Sequence, residues 1–234
     1  MRNLEPNERR FRLSIWLGLL VLVVIVFATV RMFSRVNHAA RGTSSRTFEI
    51  SVEFDKFRQI MVRKNATAAI VEHGGMELIE QHTQAVAVDL SGDDRPVLNA
   101  LLGQSRADLA ATKHITVRIN DPHVGADRVS LTQTANIDAG NLNVITVANQ
   151  PTGNLQDYET KLSARAEGAS TTVTLDMDLS VRVDVARLFV SRADAQVQAA
   201  ADEALRQQEA AIKHLIERYA AVRFVLPDLG DEPR

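Results

Sequence analysis

The feature that most constrains the fold is a long amphipathic segment near the C-terminus, from Ala186 to Val222. Apolar or small side chains recur there every three or four residues from Val197 onward, which is the spacing of one buried face of an α-helix. The segment is rich in alanine and contains neither Gly nor Pro, so helix propensity agrees with the pattern. Roughly 30 helical residues at about 1.5 Å each give a length of about 45 Å. Such a helix must lie across a whole sheet or project beyond it.

The segment directly before this helix is the clearest β-strand. From Thr171 to Val185 apolar side chains alternate strictly with polar ones, which is the period of a strand buried on one face. Shorter alternating runs, separated by turn residues, occupy the chain from Lys113 onward, and Thr47 to Phe54 alternates in the same way. We therefore expect an α+β fold in which a curved antiparallel sheet of about seven strands grips the C-terminal helix.

The region between the first strand and the meander is predicted to hold short helices. Asp55 is a good N-cap residue and opens a helical pattern that ends near Gly74. A second short helix is predicted over Met76 to Gln81, a strand over Val86 to Leu90, and a third short helix over Pro96 to Leu102.

The N-terminal region contains an apolar run from Leu13 to Val30, eighteen residues without a charge. At about 1.5 Å per residue this run crosses most of a hydrocarbon core of about 30 Å, so it is predicted to be a transmembrane helix. A cleaved signal peptide is the alternative, but its apolar region is usually only about 7 to 15 residues long and ends at a small-residue cleavage site. The predicted organisation is an N-terminal tail (1–12), an anchor (13–30), a linker (31–45), one folded domain (46–222) and a C-terminal tail (223–234).

The orientation of this anchor follows from the basic residues around it. Arginines flank both sides of the run in equal number, and the N-terminal tail is short. We expect a single-pass protein of the cell membrane with a cytoplasmic N-terminus and an extracytoplasmic C-terminal domain.

Composition excludes several classes of function. The net charge is −2, and no basic face is concentrated outside the N-terminus, so nucleic acid is not expected as a partner. Cysteine is absent, which removes disulfides and thiolate chemistry. The spacing of the histidines fits no metal motif, and no phosphate-binding loop, dinucleotide fingerprint or nucleophile elbow occurs. No catalytic residue, metal site or cofactor is predicted.

The order of the elements resembles that of the START-like, or SRPBCC, helix-grip superfamily. The resemblance covers about residues 46 to 222 and depends on TVTLDMDLSVRVDVARLF leading into the long helix. No signature motif accompanies it. The resemblance implies a cavity between the sheet and the C-terminal helix, which the superfamily uses for lipids, sterols, polyketides and other hydrophobic molecules and only sometimes for catalysis.

The candidate cavity residues lie on the two surfaces that would face each other. Gln208 interrupts an otherwise apolar helix stripe, and a buried amide needs a partner. Tyr158 and Tyr219 either place hydroxyl groups in the cavity or are core aromatics. The alternative is that the alanines let the helix pack tightly, with no cavity, while Gln208 reaches solvent. The candidates are Val117, Val144, Leu175 and Met177 on the sheet and Val197, Ala201, Ala204, Gln208 and Ile212 on the helix.

Three functions are compatible with these patterns. The first is a membrane-tethered, non-enzymatic domain that binds a hydrophobic small molecule or lipid. The second is a structural or interaction protein of the cell envelope, in which the long helix binds a helical segment of a protein partner. The third, an enzyme of the cyclase or hydrolase kind, is least favoured because no acid, base and nucleophile set is present.

Overall fold

The alternating segments of the sequence form one antiparallel sheet. The computed structural model describes residues 22–27, 29–73, 76–89, 108–119 and 128–222. Within them the elements in chain order are β1 (Arg35–Ile50), α1 (Phe54–Arg63), α2 (Ala66–His73), β2 (Met76–Asp89), β3 (Asp108–Ile119), β4 (Arg128–Ile137), β5 (Asn141–Ala148), β6 (Leu155–Glu167), β7 (Ser170–Ala186), a 3-10 turn (Arg187–Phe189) and α3 (Val190–Tyr219).

The described part of the sheet has seven strands in the order β1-β7-β6-β5-β4-β3-β2, with every neighbouring pair antiparallel. The helix α3 packs mainly on β1 and β7 and also contacts α2. The expected α+β fold, a sheet of seven strands gripping a long C-terminal helix, is therefore confirmed. The helix itself is 30 residues long, but it begins at Val190 rather than Ala186, because β7 continues to Ala186 and a 3-10 turn follows.

The first strand begins much earlier than predicted. The prediction of a linker over 31–45 is wrong from Arg35 onward, since Arg35 to Ile50 pairs with β7 along its whole length. The alternation was hidden because several inward-facing side chains of this strand are polar. They bind the polar edge of α3 instead of entering the core: His38 Nε2 lies 2.7 Å from Asp194 Oδ1, and Arg46 Nε donates to Glu209 Oε2 at 2.7 Å.

Glycine in β1 permits this close packing. A Cβ atom built on Gly42 would lie 2.5 Å from the backbone oxygen of Val197 and 2.9 Å from Cα of Gln198. The strand and the helix backbones therefore touch at this point, and only glycine leaves the space. Beside the contact, the side-chain nitrogen of Gln198 donates to the backbone oxygen of Thr43 at 2.6 Å.

Two further predictions differ from the structure. The predicted helix over Met76 to Gln81 is wrong, because this segment begins β2 and pairs with β3; irregularities after Leu78 and Thr83 disrupt the alternation that would have indicated a strand. The single helical pattern after β1 is two helices, since Asn65 adopts a left-handed conformation with φ of 46°. The predicted helix over Pro96 to Leu102 lies outside the described residues.

The N-terminal run is described only in part. Residues 22–27 and 29–33 are helical, and Ser34 alone separates them from β1. Their apolar side chains are exposed, for example 61% of Leu22 and 65% of Phe27. The rest of the 13–30 run and the two terminal tails, 1–12 and 223–234, lie outside the described residues. Among the residues that are described, no helix is both long and apolar enough to cross a membrane.

Candidate functional site

The structure contains a cavity of about 160 Å³ between the short helices and the concave face of the sheet. The helices α1 and α2 cover it, and β3, β4, β5 and β6 form its floor. Most of the lining is apolar. The apolar lining residues are Met61, Val62, Ala66, Ile70, Val71, Met76, Leu109, Ala111, Ile115, Leu131, Ala135, Ile137, Leu142, Val144 and Leu162.

The long helix α3 contributes little to this cavity. Ala201, Leu205 and Ile212 are fully buried in the core between α3 and the sheet. Gln208 is the single α3 residue among the described lining residues. Both sequence-based alternatives therefore apply to different regions: the alanines of α3 do pack tightly, and a cavity exists beside that contact, under α1 and α2.

The nine candidate residues divide accordingly. Val144 and Gln208 line the cavity. The other seven are absent from its described lining and belong to the core around it. Val117 and Val197 lie in one buried cluster, Leu175, Met177, Ala201 and Ile212 lie in a second, and Ala204 packs at the margin of the second.

A row of polar side chains crosses the floor of the cavity. Lys113 of β3 pairs with Gln133 of β4, Gln133 pairs with Thr146 of β5, and Thr146 pairs with Thr160 of β6. All four residues line the cavity. Directly paired residues of neighbouring strands point to the same face, so these four form one continuous line, which we call the polar row.

Hydrogen bonds hold the centre of the polar row. The Thr67 hydroxyl of α2 donates to Gln133 Oε1 at 2.8 Å, and Gln133 Nε2 donates to Thr146 Oγ1 at 3.2 Å. The Gln133 amide thus links α2 to the sheet floor, because it bonds to both.

Tyr158 and Gln208 form the polar end of the cavity on the β6 side. The Tyr158 hydroxyl is hydrogen-bonded to Thr160 and to Gln208. Burial raises the pKa of the Tyr158 phenol, although both hydrogen bonds oppose that effect, so the phenol is neutral at physiological pH. The half-buried amide of Gln208 therefore has a protein partner.

The charged groups among the described lining residues are all cations. Lys113 and Lys161 line the cavity, and no Asp or Glu is among the described lining residues. The Lys161 ammonium lies 2.6 Å from Glu159 Oε1, and its side chain is 51% exposed. Burial lowers the pKa of the Lys113 ammonium.

Sequence reasoning missed most of these polar residues. The available signal was a polar residue on the apolar side of a strand: Lys113 stands between Ala111 and Ile115, and Gln133 between Leu131 and Ala135. Such positions are unusual on a face that is buried, but a single sequence does not show which polar residues become neighbours, because that depends on strand register.

Comparisons with known proteins give structural neighbours only. No family model and no curated protein matches the sequence. The structure is similar to that of a START superfamily protein from Mycobacterium smegmatis, with 15% identity, 75% of this chain and 97% of the other covered, and a TM-score of 0.45. It is also similar to the Zhui aromatase/cyclase from Streptomyces sp. R1128, with 13% identity, 78% and 97% covered, and a TM-score of 0.46. A protein from Thermus thermophilus matches with 12% identity, 77% and 99% covered, and a TM-score of 0.46.

The fold can be stated from the arrangement of the elements themselves. In the described part of the chain, α1 and α2 follow β1, and β2 to β7 form an antiparallel meander. The last strand, β7, leads into the gripped helix. The chain has a helix-grip fold, in which an antiparallel sheet grips the long C-terminal helix.

Proposed function

We propose that this protein is a membrane-tethered, non-enzymatic domain that binds a hydrophobic small molecule. The observation that carries the proposal is the cavity under α1 and α2, whose described lining is mostly apolar. Its polar members are the polar row and Thr67, Tyr158, Lys161 and Gln208. An apolar pocket with a few convergent polar groups is the usual composition of a small-molecule site.

The size of the cavity limits its occupant. Its volume of about 160 Å³ is close to that of engineered apolar cavities of about 150 Å³ that admit benzene. Pockets for drug-sized ligands measure about 300 to 1,000 Å³. We therefore infer a ligand part of about one ring or a short alkyl chain, and a larger lipid would require α1 and α2 to move away from the sheet.

The alternative, an envelope protein that acts through its long helix, has less support. That function requires a helix face left free beyond Ile212. Leu215 and Ile216 are buried, and the helix ends at Tyr219. The apolar face of α3 is thus used within the domain almost to its end.

Binding can be tested with a small apolar probe. Isotope-labelled 1-hexanol should bind the full-length protein in lipid nanodiscs saturably and with one site per chain, as measured by equilibrium dialysis. Empty nanodiscs measure the partitioning of the alcohol into lipid. Binding that never rises above the empty-disc level would contradict the proposed function.

Membrane tethering is the second part of the proposal. It is supported by the uncharged run 13–30 and by the exposed apolar side chains of its described part. Because Ser34 alone separates the helical residues from β1, an anchored domain would be held directly beside the bilayer.

The topology has its own test. Protease added to intact spheroplasts that express the protein should degrade the C-terminal domain, because we place that domain outside the cytoplasm. A cytoplasmic marker protein shows that the membrane stays closed. Protection of the domain until the spheroplasts are lysed would reverse the proposed orientation, and recovery in the soluble fraction would exclude the anchor.

A further inference from the structure

Lys113 is the charged member of the polar row and stands at its β3 end. Its neighbours along β3 on the same face, Ala111 and Ile115, are apolar and also line the cavity. Its cross-strand neighbours are Gln133 on β4 and Thr83 on β2, and neither carries a charge. The Lys113 side chain therefore starts from the floor of the cavity, between apolar neighbours.

The charge of Lys113 is not balanced within the described part of the chain. Its lowered pKa has burial as its single cause, with no contribution from a hydrogen bond or from a charged neighbour. No carboxylate of the described residues lies within ion-pair distance of it. By contrast, Lys161 and Lys213 are each paired with a glutamate at 2.6 Å.

The described hydrogen bonds of the neutral members of the polar row run to groups other than Lys113. Gln133 Oε1 accepts from Thr67, and Gln133 Nε2 donates to Thr146. At the other end of the row, Thr160 and Gln208 bond to the Tyr158 hydroxyl. None of these hydrogen bonds includes the Lys113 ammonium group, so its donors remain for a ligand.

A half-buried ammonium group is best stabilised by an anion that enters with the ligand. Desolvating a cation is unfavourable unless a charged or strongly accepting group compensates it. Hydrogen bonds between an ammonium group and a carboxylate are shorter and stronger than those between neutral groups. The apolar lining requires that the rest of the ligand be hydrophobic.

We propose that the cavity binds an amphipathic monocarboxylate, with its carboxylate paired to the Lys113 ammonium and its apolar chain against the lining of α1, α2 and the sheet. This inference rests on the proposed function, because it assigns the ligand class of the same cavity. It goes beyond a general hydrophobic ligand, since it requires one negative charge at one place.

The test compares two probes of equal chain length, hexanoate and 1-hexanol, on the full-length protein in nanodiscs. The wild-type protein should bind hexanoate at least about tenfold more tightly than 1-hexanol. The reason is that a hydrogen bond to a charged group increases binding affinity by about tenfold or more. Lys113→Met keeps an unbranched apolar side chain and removes the charge. This variant should lose the preference, with weaker binding of hexanoate and unchanged or tighter binding of 1-hexanol.

Lys213→Met is the matched control, because it removes a lysine of α3 that is absent from the described lining of the cavity. It should leave both affinities as in the wild type. Equal wild-type affinity for both probes, or a Lys113→Met variant that still prefers hexanoate, would overturn the carboxylate assignment and leave the apolar site intact. Failure of both probes to bind would overturn the proposed function together with this inference.

Discussion

Replacing Gly42 with alanine is expected to destabilise the domain by about 3 kcal/mol, at the upper end of the usual cost of overpacking. The added Cβ atom would lie 2.5 Å from the backbone oxygen of Val197 and 2.7 Å from its carbonyl carbon. Neither atom belongs to a side chain that can rotate away, so β1 and α3 must separate. For a domain of this size the melting temperature should fall by about 6 to 12 °C, measured by circular dichroism on the full-length protein.

Gly140→Ala is the matched control. A Cβ atom at Gly140 would approach no described atom more closely than 4.0 Å, and its backbone does not require a positive φ. Alanine there should be neutral or slightly stabilising, because it reduces the freedom of the unfolded chain. Equal melting temperatures for the two variants would show that α3 and β1 do not meet at Gly42.

The parts of the fold that could be predicted from the sequence are those with strong hydrophobic periodicity. The strand over Thr171 to Val185 and the helix that follows were predictable because each buries one continuous apolar face. Strand β1 was not, since its inward residues include His38, Gly42 and Ser44, which bind or touch α3 and do not contribute apolar surface. A polar residue that faces another polar group inside a fold looks like a loop residue in the sequence.

The location of the cavity could be predicted less well than the fold. The stripe on α3 singled out Gln208, and the structure places this residue in the lining of the cavity, beside Tyr158. The other helix candidates fill the core because α3 approaches β1 and β7 closely, and that approach depends on Gly42, which the pattern placed in a linker. The position of the site therefore depends on strand register and on the distance between the backbones of α3 and the sheet. Neither can be read from the hydrophobic periodicity of the sequence.

The cavity can be filled by one substitution that leaves the surrounding core unchanged. Val144 lines the cavity on β5, while its neighbour Ile145 faces the opposite side of the sheet and is 40% exposed. Tryptophan at position 144 would extend into the open space under α1 and α2. Tryptophan at position 145 would add the same side chain to the outer surface.

Val144→Trp is expected to abolish saturable binding of 1-hexanol while the protein melts close to the wild-type temperature. Ile145→Trp should bind as the wild type does. Ala135→Phe, which fills the cavity from β4, provides a second variant in case Val144→Trp does not fold.

The most direct test of the binding function is therefore the affinity of 1-hexanol for the wild type, Val144→Trp and Ile145→Trp, measured by equilibrium dialysis in nanodiscs. The cavity account predicts one saturable site that is lost in Val144→Trp and kept in Ile145→Trp. Saturable binding that persists in a folded Val144→Trp variant would contradict it, because the ligand would then occupy another part of the molecule.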